Sequence, residues 1–241
     1  MSQFDQTSWA DAAYAREFLD HADHYIPERH QLFAAMRSFY RHFILSRGQG
    51  KVCDLGCGDG VLTAELLKEN PALDAVLVDG SADMLGAARK RFSAQPQLQY
   101  VQKSFQAMPQ EAGDLPQFQF IVSSFAIHHL EPGERKALFA ALLHNLERGG
   151  WFMNIETALP RHALFTEWYY ALWQEWIIAH SRRFGLKEDF QDVPRKAREN
   201  PDNKYTPLAD QLRDLEAAGF KAVECHYKNG IFAIYTGQKG A

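Results

Sequence analysis

Short apolar runs alternate with helix-type segments through the middle of the chain. The apolar runs predict five strands, near residues 51–55, 74–79, 98–103, 118–124 and 150–156, and the segments between them predict helices near 59–69, 81–93 and 132–147. Ser81 and Pro132 are typical of a helix start, and Gly149-Gly150 is typical of a helix end. This alternation predicts an α/β fold with a doubly wound parallel sheet.

The end of the chain predicts a hairpin. A helix-type segment over 208–218 ends at Gly219, and two β-type runs follow over 220–227 and 231–236. The dipeptide Asn229-Gly230 joins these runs, and Asn-Gly in such a place is a strong hairpin signal.

Two helical segments lie outside this core. Residues 1–47 predict two helices that break at Ile26-Pro27, because a residue before proline is disfavoured in helical space. Residues 158–204 predict a cap insertion, whose first half carries an apolar stripe at helical spacing: Phe165, Trp168, Tyr169, Leu172, Trp173, Trp176 and Ile177. The stripe is expected to pack on the core, with a lid over a substrate pocket or a homodimer surface as alternatives. The expected units are therefore 1–47, the core over 48–157, the cap over 158–204 and core completion over 205–241.

Composition excludes several classes of protein. The 241 residues carry a net charge of −4, which gives no broad cationic surface, so nucleic acid is not expected as a partner. No apolar run approaches the roughly 20 residues that span a bilayer, and the first residues lack the pattern of a signal peptide. Three cysteines argue against a disulfide framework, and Cys53 and Cys57 are expected to fill tight space rather than to bind a metal. A cytoplasmic protein is expected.

A glycine turn follows the first predicted strand and carries the main chemical signal. Gly56, Gly58 and Gly60 let the backbone turn sharply and approach a ligand, and a helix start follows them. Asp79 ends the next predicted strand, where an acid suits a ribose diol. Together they predict a nucleoside-containing cofactor.

The residues between the glycines indicate which cofactor binds. The third glycine comes one residue earlier than in the dinucleotide fingerprint, and the turn carries two acids, Asp54 and Asp59. Such acids would repel a pyrophosphate but suit a sulfonium or an ammonium group. The turn therefore favours S-adenosylmethionine over NAD.

Four motifs resemble those of the class I S-adenosylmethionine-dependent methyltransferases, in particular the type 11/12-like proteins. They are residues 54–60 (Asp-Leu-Gly-Cys-Gly-Asp-Gly), 78–85 (Val-Asp-Gly-Ser-Ala-Asp-Met-Leu), 121–130 and 146–150. The likeness covers about 48–157 and resumes over 206–239. It implies a Rossmann-like sheet of seven strands with the last one antiparallel, S-adenosyl-L-methionine as donor and S-adenosyl-L-homocysteine as product.

The same resemblance implies a set of cofactor-binding residues. Asp79 is expected to accept hydrogen bonds from the ribose, and Asp54 to orient the methionine end directly or through water. Ser104 stands where the family usually has an acid for the adenine, beside Phe105. Independently of the resemblance, the break at Ile26-Pro27 is expected to close over the methionine end, with Tyr25 or Arg29 near its carboxylate; a plain helix–helix corner is the alternative. The remaining expected cofactor residues come from the matching motifs: Gly56, Cys57, Gly58, Gly80, Met84, Ser123 and Ser124.

Two histidines follow the fourth predicted strand. His128 or His129 is a candidate general base, because imidazole titrates near neutral pH. Helix capping and hydrogen bonding within the loop are the alternatives. A small-molecule acceptor is expected, since the cap is expected to enclose the pocket.

Two other functions remain open from the sequence. The segments outside the core also resemble carboxy-S-adenosylmethionine synthase of tRNA wobble-uridine modification, with Lys196, flanked by Arg195 and Arg198, and Ser124 as the best matching positions. The basic cluster is otherwise expected to be a solvated face, with an anion-binding patch facing the pocket as the alternative. A cofactor-binding partner protein without catalysis is the third hypothesis.

Overall fold

One mixed sheet organises the computed structural model, which describes residues 4–188 and 190–240. Its strands lie in the order β3-β2-β1-β4-β5-β7-β6; β1 to β5 are parallel, whereas β7 is antiparallel to both of its neighbours. The strand bounds are β1 Val52–Leu55, β2 Ala75–Asp79, β3 Gln99–Gln102, β4 Phe118–Ser124, β5 Leu146–Thr157, β6 Lys221–Asn229 and β7 Phe232–Gln238. The predicted Rossmann-like sheet with an antiparallel last strand is confirmed.

Helices cover both faces of this sheet. They are α1 Ala12–Tyr25, α2 Arg29–Phe39, α3 Val61–Leu67, α4 Ala82–Arg91, α5 Pro132–Asn145, α6 Thr166–Phe184, α7 Val193–Glu199 and α8 Leu208–Ala218. Apolar residues of α2, α3, α4 and α6 pack in one buried cluster, and those of α5 and α8 pack in a second cluster on the opposite face. The burial of apolar surface on both faces is what the near-continuous apolar strands require.

Local signals account for the helix starts. The Ser81 hydroxyl accepts a hydrogen bond from the Met84 N–H at 3.3 Å and caps α4. At α5, Pro132 occupies the first turn, and Glu134 accepts from the Glu131 N–H at 2.9 Å in a capping box. Both predicted starts are confirmed.

The Gly149-Gly150 pair does not end α5. The helix ends at Asn145, and β5 begins at once, with Leu146 opposite Phe118 and Trp151 opposite Phe120. The extra residues form a bulge, so the predicted helix end and the strand start near 150 were both wrong. The cause is tertiary: a Cβ at Gly150 would lie 3.0 Å from the Phe118 carbonyl oxygen, so only glycine fits beside β4.

The hairpin is confirmed, but its turn lies one residue further along the chain than the predicted Asn229-Gly230. Asn229 pairs with Phe232, so Gly230 and Ile231 form the turn. The break between α1 and α2 at Ile26-Pro27 is also confirmed.

The predicted stripe divides between core and surface. Trp173 and Ile177 are buried, whereas Phe165 and Trp168 are exposed. The Trp173 indole N–H donates to the Tyr25 carbonyl at 2.7 Å and ties α6 to the end of α1. Among the described helices, none is long and apolar enough to cross a membrane.

Asp54 joins β1 to α3. It is 1% exposed, and its carboxylate accepts from the Thr63 N–H at 3.0 Å and from the Thr63 hydroxyl at 2.6 Å. Burial raises the pKa of the Asp54 carboxyl to about 7, against the opposing effect of the Thr63 hydrogen bonds.

Asp54→Asn should change how stability depends on pH. In the wild type, Asp54 ionises near pH 4 when unfolded but stays protonated to about pH 7 when folded, so the folded state loses stability as the pH rises through this window. The variant has no carboxyl group at this position and therefore no such loss. The difference in free energy of unfolding between variant and wild type should shift in favour of the variant by about 1.4 kcal/mol for each pH unit between about pH 4 and about pH 7. Urea denaturation of both proteins at about pH 4.5, 5.5, 6.5 and 8 measures this difference. If the free energies of unfolding of the two proteins changed in parallel with pH, the prediction would be contradicted.

Removing one partner of the buried ion pair between α5 and α8 should destabilise the protein strongly. Arg135 is 2% exposed, and its guanidinium lies 3.1 Å from the Asp214 carboxylate. Asp214→Ala leaves that charge unpaired and should lower the free energy of unfolding by about 3 kcal/mol in urea denaturation. The exposed pair of Asp210 and Arg213 offers the control, since Asp210→Ala should cost less than about 1 kcal/mol. Equal losses in the two variants would contradict this account.

Candidate functional site

A first cavity lies at the carboxyl ends of β1, β2 and β4, where the glycine turn passes. At Gly56 the backbone φ is 65°, and a Cβ there would lie 2.7 Å from the Ala126 Cβ and 2.8 Å from the Phe105 ring. Only glycine therefore lets the turn run between these two side chains. Carboxyl ends of parallel strands are the usual binding edge of such sheets.

Asp79 ties the glycine turn to the end of β2. Its carboxylate accepts from the Gly58 N–H at 2.9 Å and from the Ser81 N–H at 2.8 Å, and burial raises the pKa of this carboxyl. The N–H groups of Gly56 and Cys57 both donate to the Val78 carbonyl, at 2.8 and 3.0 Å. The two predicted cofactor motifs thus form one hydrogen-bonded unit whose carboxylate borders the cavity.

Most of the expected cofactor residues meet along this first cavity. It is lined by Arg29, Gly56, Cys57, Gly58, Asp79, Gly80, Met84, Ser104, Phe105 and Ser124. Phe4, Thr7 and Trp9 of the N-terminal segment line it as well, which the sequence did not predict. Arg29 donates to Asp23 at 2.8 Å, and its Nε is buried without a partner among the described residues.

Three expected cofactor residues lie elsewhere. Asp54 faces Thr63 of α3, and the Ser123 hydroxyl donates to the Leu55 carbonyl at 2.7 Å inside the sheet. Neither side chain lines the first cavity, because each is used to hold neighbouring elements together. Tyr25 lines a second cavity instead.

The second cavity, of about 470 Å³, lies beside the first and shares Trp9, Phe18, Phe125 and His129 with it. Such a volume is in the usual range for small-molecule sites. Its other walls combine polar side chains with five aromatic ones, which are Tyr14, Tyr25, Trp173, Tyr205 and Phe232. The walls come from α1, α6, α7 and the ends of β5 and β7, so the cap and the N-terminal segment enclose it together.

His128 faces this cavity and is held by a buried glutamate. Its Nδ1 lies 2.5 Å from the Glu156 carboxylate, which also accepts from the His128 N–H at 3.0 Å and from the Thr157 N–H at 2.7 Å. Glu156 is 0% exposed. Since a carboxylate only accepts, the imidazole proton lies on Nδ1 and Nε2 keeps its lone pair. The sequence did not single out Glu156, although an acid in the apolar run of β5 was a signal.

His129 has a different environment. Its Nδ1 lies 3.2 Å from the Asp202 carbonyl oxygen, and its ring centroid is 4.1 Å from that of His128. Burial, together with the neighbouring His128, holds the pKa of His129 well below its usual range. His129 therefore stays neutral and is a poor base. His128 differs in having the Glu156 carboxylate beside its ring.

The residues of the basic cluster, Arg195, Lys196 and Arg198, do not share one environment. Arg195 pairs with Asp192 and Glu199 on α7, at 3.0 and 2.8 Å. Lys196, by contrast, lines the second cavity. No group of three or more metal-ligating side chains is found within 4–188 and 190–240.

Comparison with known proteins supports the sequence motifs. A methyltransferase domain family matches residues 52–150. The carboxy-S-adenosyl-L-methionine synthase of Nautilia profundicola is 23% identical over 188 residues, which cover 78% of this chain and 76% of that protein. An uncharacterised methyltransferase of Synechocystis is 31% identical over 121 residues, covering 50% of this chain and 53% of its own.

Solved structures share the fold. An O-methyltransferase family protein from Burkholderia thailandensis has a TM-score of 0.66 at 16% identity, covering 98% of this chain and 63% of that one. Human N-acetylserotonin methyltransferase, in complex with S-adenosylmethionine, has a TM-score of 0.57 at 20% identity over 89% of this chain and 56% of its own. This chain thus spans less than two thirds of either of those proteins. Residues 52–150 thus carry a methyltransferase domain, and the sheet has the fold of the class I S-adenosylmethionine-dependent methyltransferases.

Proposed function

We propose that the enzyme transfers the methyl group of S-adenosylmethionine, held in the first cavity, to a small-molecule acceptor in the second. The observation that carries this proposal is the common wall of the two cavities, formed by Trp9, Phe18, Phe125 and His129. Because these four residues border both cavities, the cavities adjoin, and a cofactor and an acceptor would meet beside them. In-line transfer mostly requires this proximity and orientation, with the reacting atoms about 3–3.5 Å apart.

The first cavity has suitable groups for each part of the cofactor. The Asp79 carboxylate is fixed by two backbone N–H groups and retains lone pairs for the ribose hydroxyls. Arg29 is the cation of the lining and suits the methionine carboxylate, while Ser104 and Phe105 suit the adenine. When bound, the cofactor would supply an already activated methyl group.

The pair of His128 and Glu156 supplies the acid–base chemistry of the proposal. His128 Nε2 accepts the proton of the acceptor, while Glu156 stabilises the charge that develops on the imidazole. The acceptor atom forms a bond to the methyl carbon, the bond from that carbon to sulfur breaks, and its electron pair stays on the sulfur. S-adenosylhomocysteine and a methylated acceptor result.

A second candidate is synthesis of carboxy-S-adenosylmethionine. Synthases of Nautilia profundicola and Campylobacter lari match 78% and 90% of this chain at 23% identity, and Lys196 lines the second cavity. Ser124 stands in place of the asparagine that is typical of that family, which favours methyl transfer. The homodimer through the cap helix also remains a prediction; the exposed Phe165 and Trp168 would contribute to such a surface.

Asp79→Ala should weaken S-adenosylmethionine binding by about 1–3 kcal/mol, the scale of a lost hydrogen bond to a charged group. Isothermal titration calorimetry measures the change. Asp83→Ala is the matched control, since Asp83 is exposed in the first turn of α4 and does not line the cavity. Unchanged affinity in a folded Asp79→Ala protein would rule out the ribose contact.

His128→Ala should slow methyl transfer by about 10²–10⁴-fold, the usual contribution of a general base, without weakening S-adenosylmethionine binding. The measurement is the release of S-adenosylhomocysteine with a panel of small phenols. Glu156→Gln should slow the same step, and His144→Ala, on the exposed side of α5, should not. A His128→Ala rate equal to that of the wild type would exclude His128 as the base.

A further inference from the structure

Two polar atoms in the common wall of the cavities have no partner. The Trp9 indole Nε1 and the His129 Nε2 are both buried, and neither makes a hydrogen bond within the described part of the chain. Their ring centroids lie 5.2 Å apart. Buried polar groups in folded proteins are nearly always hydrogen-bonded, so this pair requires an explanation.

One residue, Asp202, holds both members of the pair. Its carboxylate accepts from the Ser8 N–H at 2.8 Å and from the Ser8 hydroxyl at 2.7 Å, which fixes the segment that carries Trp9. Its carbonyl oxygen lies 3.2 Å from His129 Nδ1. A carbonyl only accepts, so the His129 proton lies on Nδ1 and Nε2 is left as an acceptor. The pair thus consists of one donor, the Trp9 N–H, and one acceptor, His129 Nε2.

The chemistry of the missing partner follows from this polarity. A hydroxyl group accepts from the Trp9 N–H and donates to His129 Nε2 at the same time. A carboxylate cannot donate, and an ammonium group cannot accept. His129 lacks a carboxylate partner and has a lowered pKa, so it would leave this hydroxyl protonated. The hydroxyl is therefore different from the one that reacts at His128.

We propose that Trp9 and His129 bind a second, unreacting hydroxyl of an aromatic acceptor whose reacting hydroxyl lies at His128. This inference rests on the proposed function. The centroids of the two imidazole rings are 4.1 Å apart, a spacing that two hydroxyls on one aromatic ring can match, and the aromatic side chains of Phe18 and Phe125 suit a planar molecule. Because neither buried atom touches solvent in this state, the hydroxyl enters by separating the Trp9 and His129 rings.

The test is a binding series on the protein saturated with S-adenosylhomocysteine, with catechol, resorcinol, phenol and toluene as probes. Whichever of the two diols binds more tightly should exceed phenol in affinity by at least about tenfold, because its second hydroxyl makes two additional neutral hydrogen bonds. Trp9→Phe keeps an aromatic wall but removes the N–H, so it should lower this ratio several-fold and leave the ratio of phenol to toluene unchanged. Trp168→Phe, at an exposed indole of α6, should change neither ratio.

The ratio separates hydrogen bonding from packing, because a packing role alone would weaken all four probes together. His129→Phe removes the acceptor and should abolish the diol advantage in the same way, which keeps the test decisive if Trp9→Phe fails to fold. Equal affinity for phenol and both diols, a diol advantage that survives both variants, or no diol binding to the saturated protein would overturn the proposal. The series needs no turnover, so its failure is distinct from loss of cofactor binding or of methyl transfer.

Discussion

The carboxylate of Asp79 is the contact on which the binding edge depends. By accepting from Gly58 and from Ser81, it joins the turn after β1 to the start of α4, and the Val78 carbonyl reinforces the link through Gly56 and Cys57. A carboxylate that is already fixed by the backbone needs no reorganisation when a ligand arrives. Binding to such a preorganised group costs less entropy than binding to a mobile side chain.

The second cavity is built by the parts of the chain that lie outside the matching domain. Its walls come from α1, from α6 and α7, and from the segment around Asp202, which anchors Ser8 and faces His129. The core supplies Phe125, Thr157, Phe232 and the two histidines, of which His128 is held by Glu156. This division explains how a common cofactor domain can serve acceptors of different shape, since the cap can change while the glycine turn remains.

Much of the fold follows from local patterns, whereas much of the site does not. The strands before Gly56 and Asp79, the starts of α4 and α5 and the hairpin were predictable because turn and capping residues act within a few positions. The early start of β5 depended on a bulge against β4, which no local pattern contains. In the same way, Asp54 was expected near the cofactor but is held by Thr63.

The pair of Glu156 and His128 spans 28 positions, and Trp9 meets His129 across 120 positions of the chain, so only the folded structure brings these side chains together. A buried acid in an apolar strand was the one sequence signal for Glu156. The N-terminal segment signalled only Tyr25 and Arg29, at the break between its two helices, and nothing local pointed to Trp9.

The most direct test of the central claim is to denature the freshly purified enzyme and identify the released small molecule by mass spectrometry, then to titrate S-adenosylmethionine into the emptied, refolded protein. The account predicts S-adenosylmethionine or S-adenosylhomocysteine in the first step, or saturable binding of S-adenosylmethionine in the second. A donor heavier by one carboxylate would instead favour the synthase and Lys196. Failure of the folded protein to bind S-adenosylmethionine at all would contradict the roles assigned to Asp79 and the glycine turn.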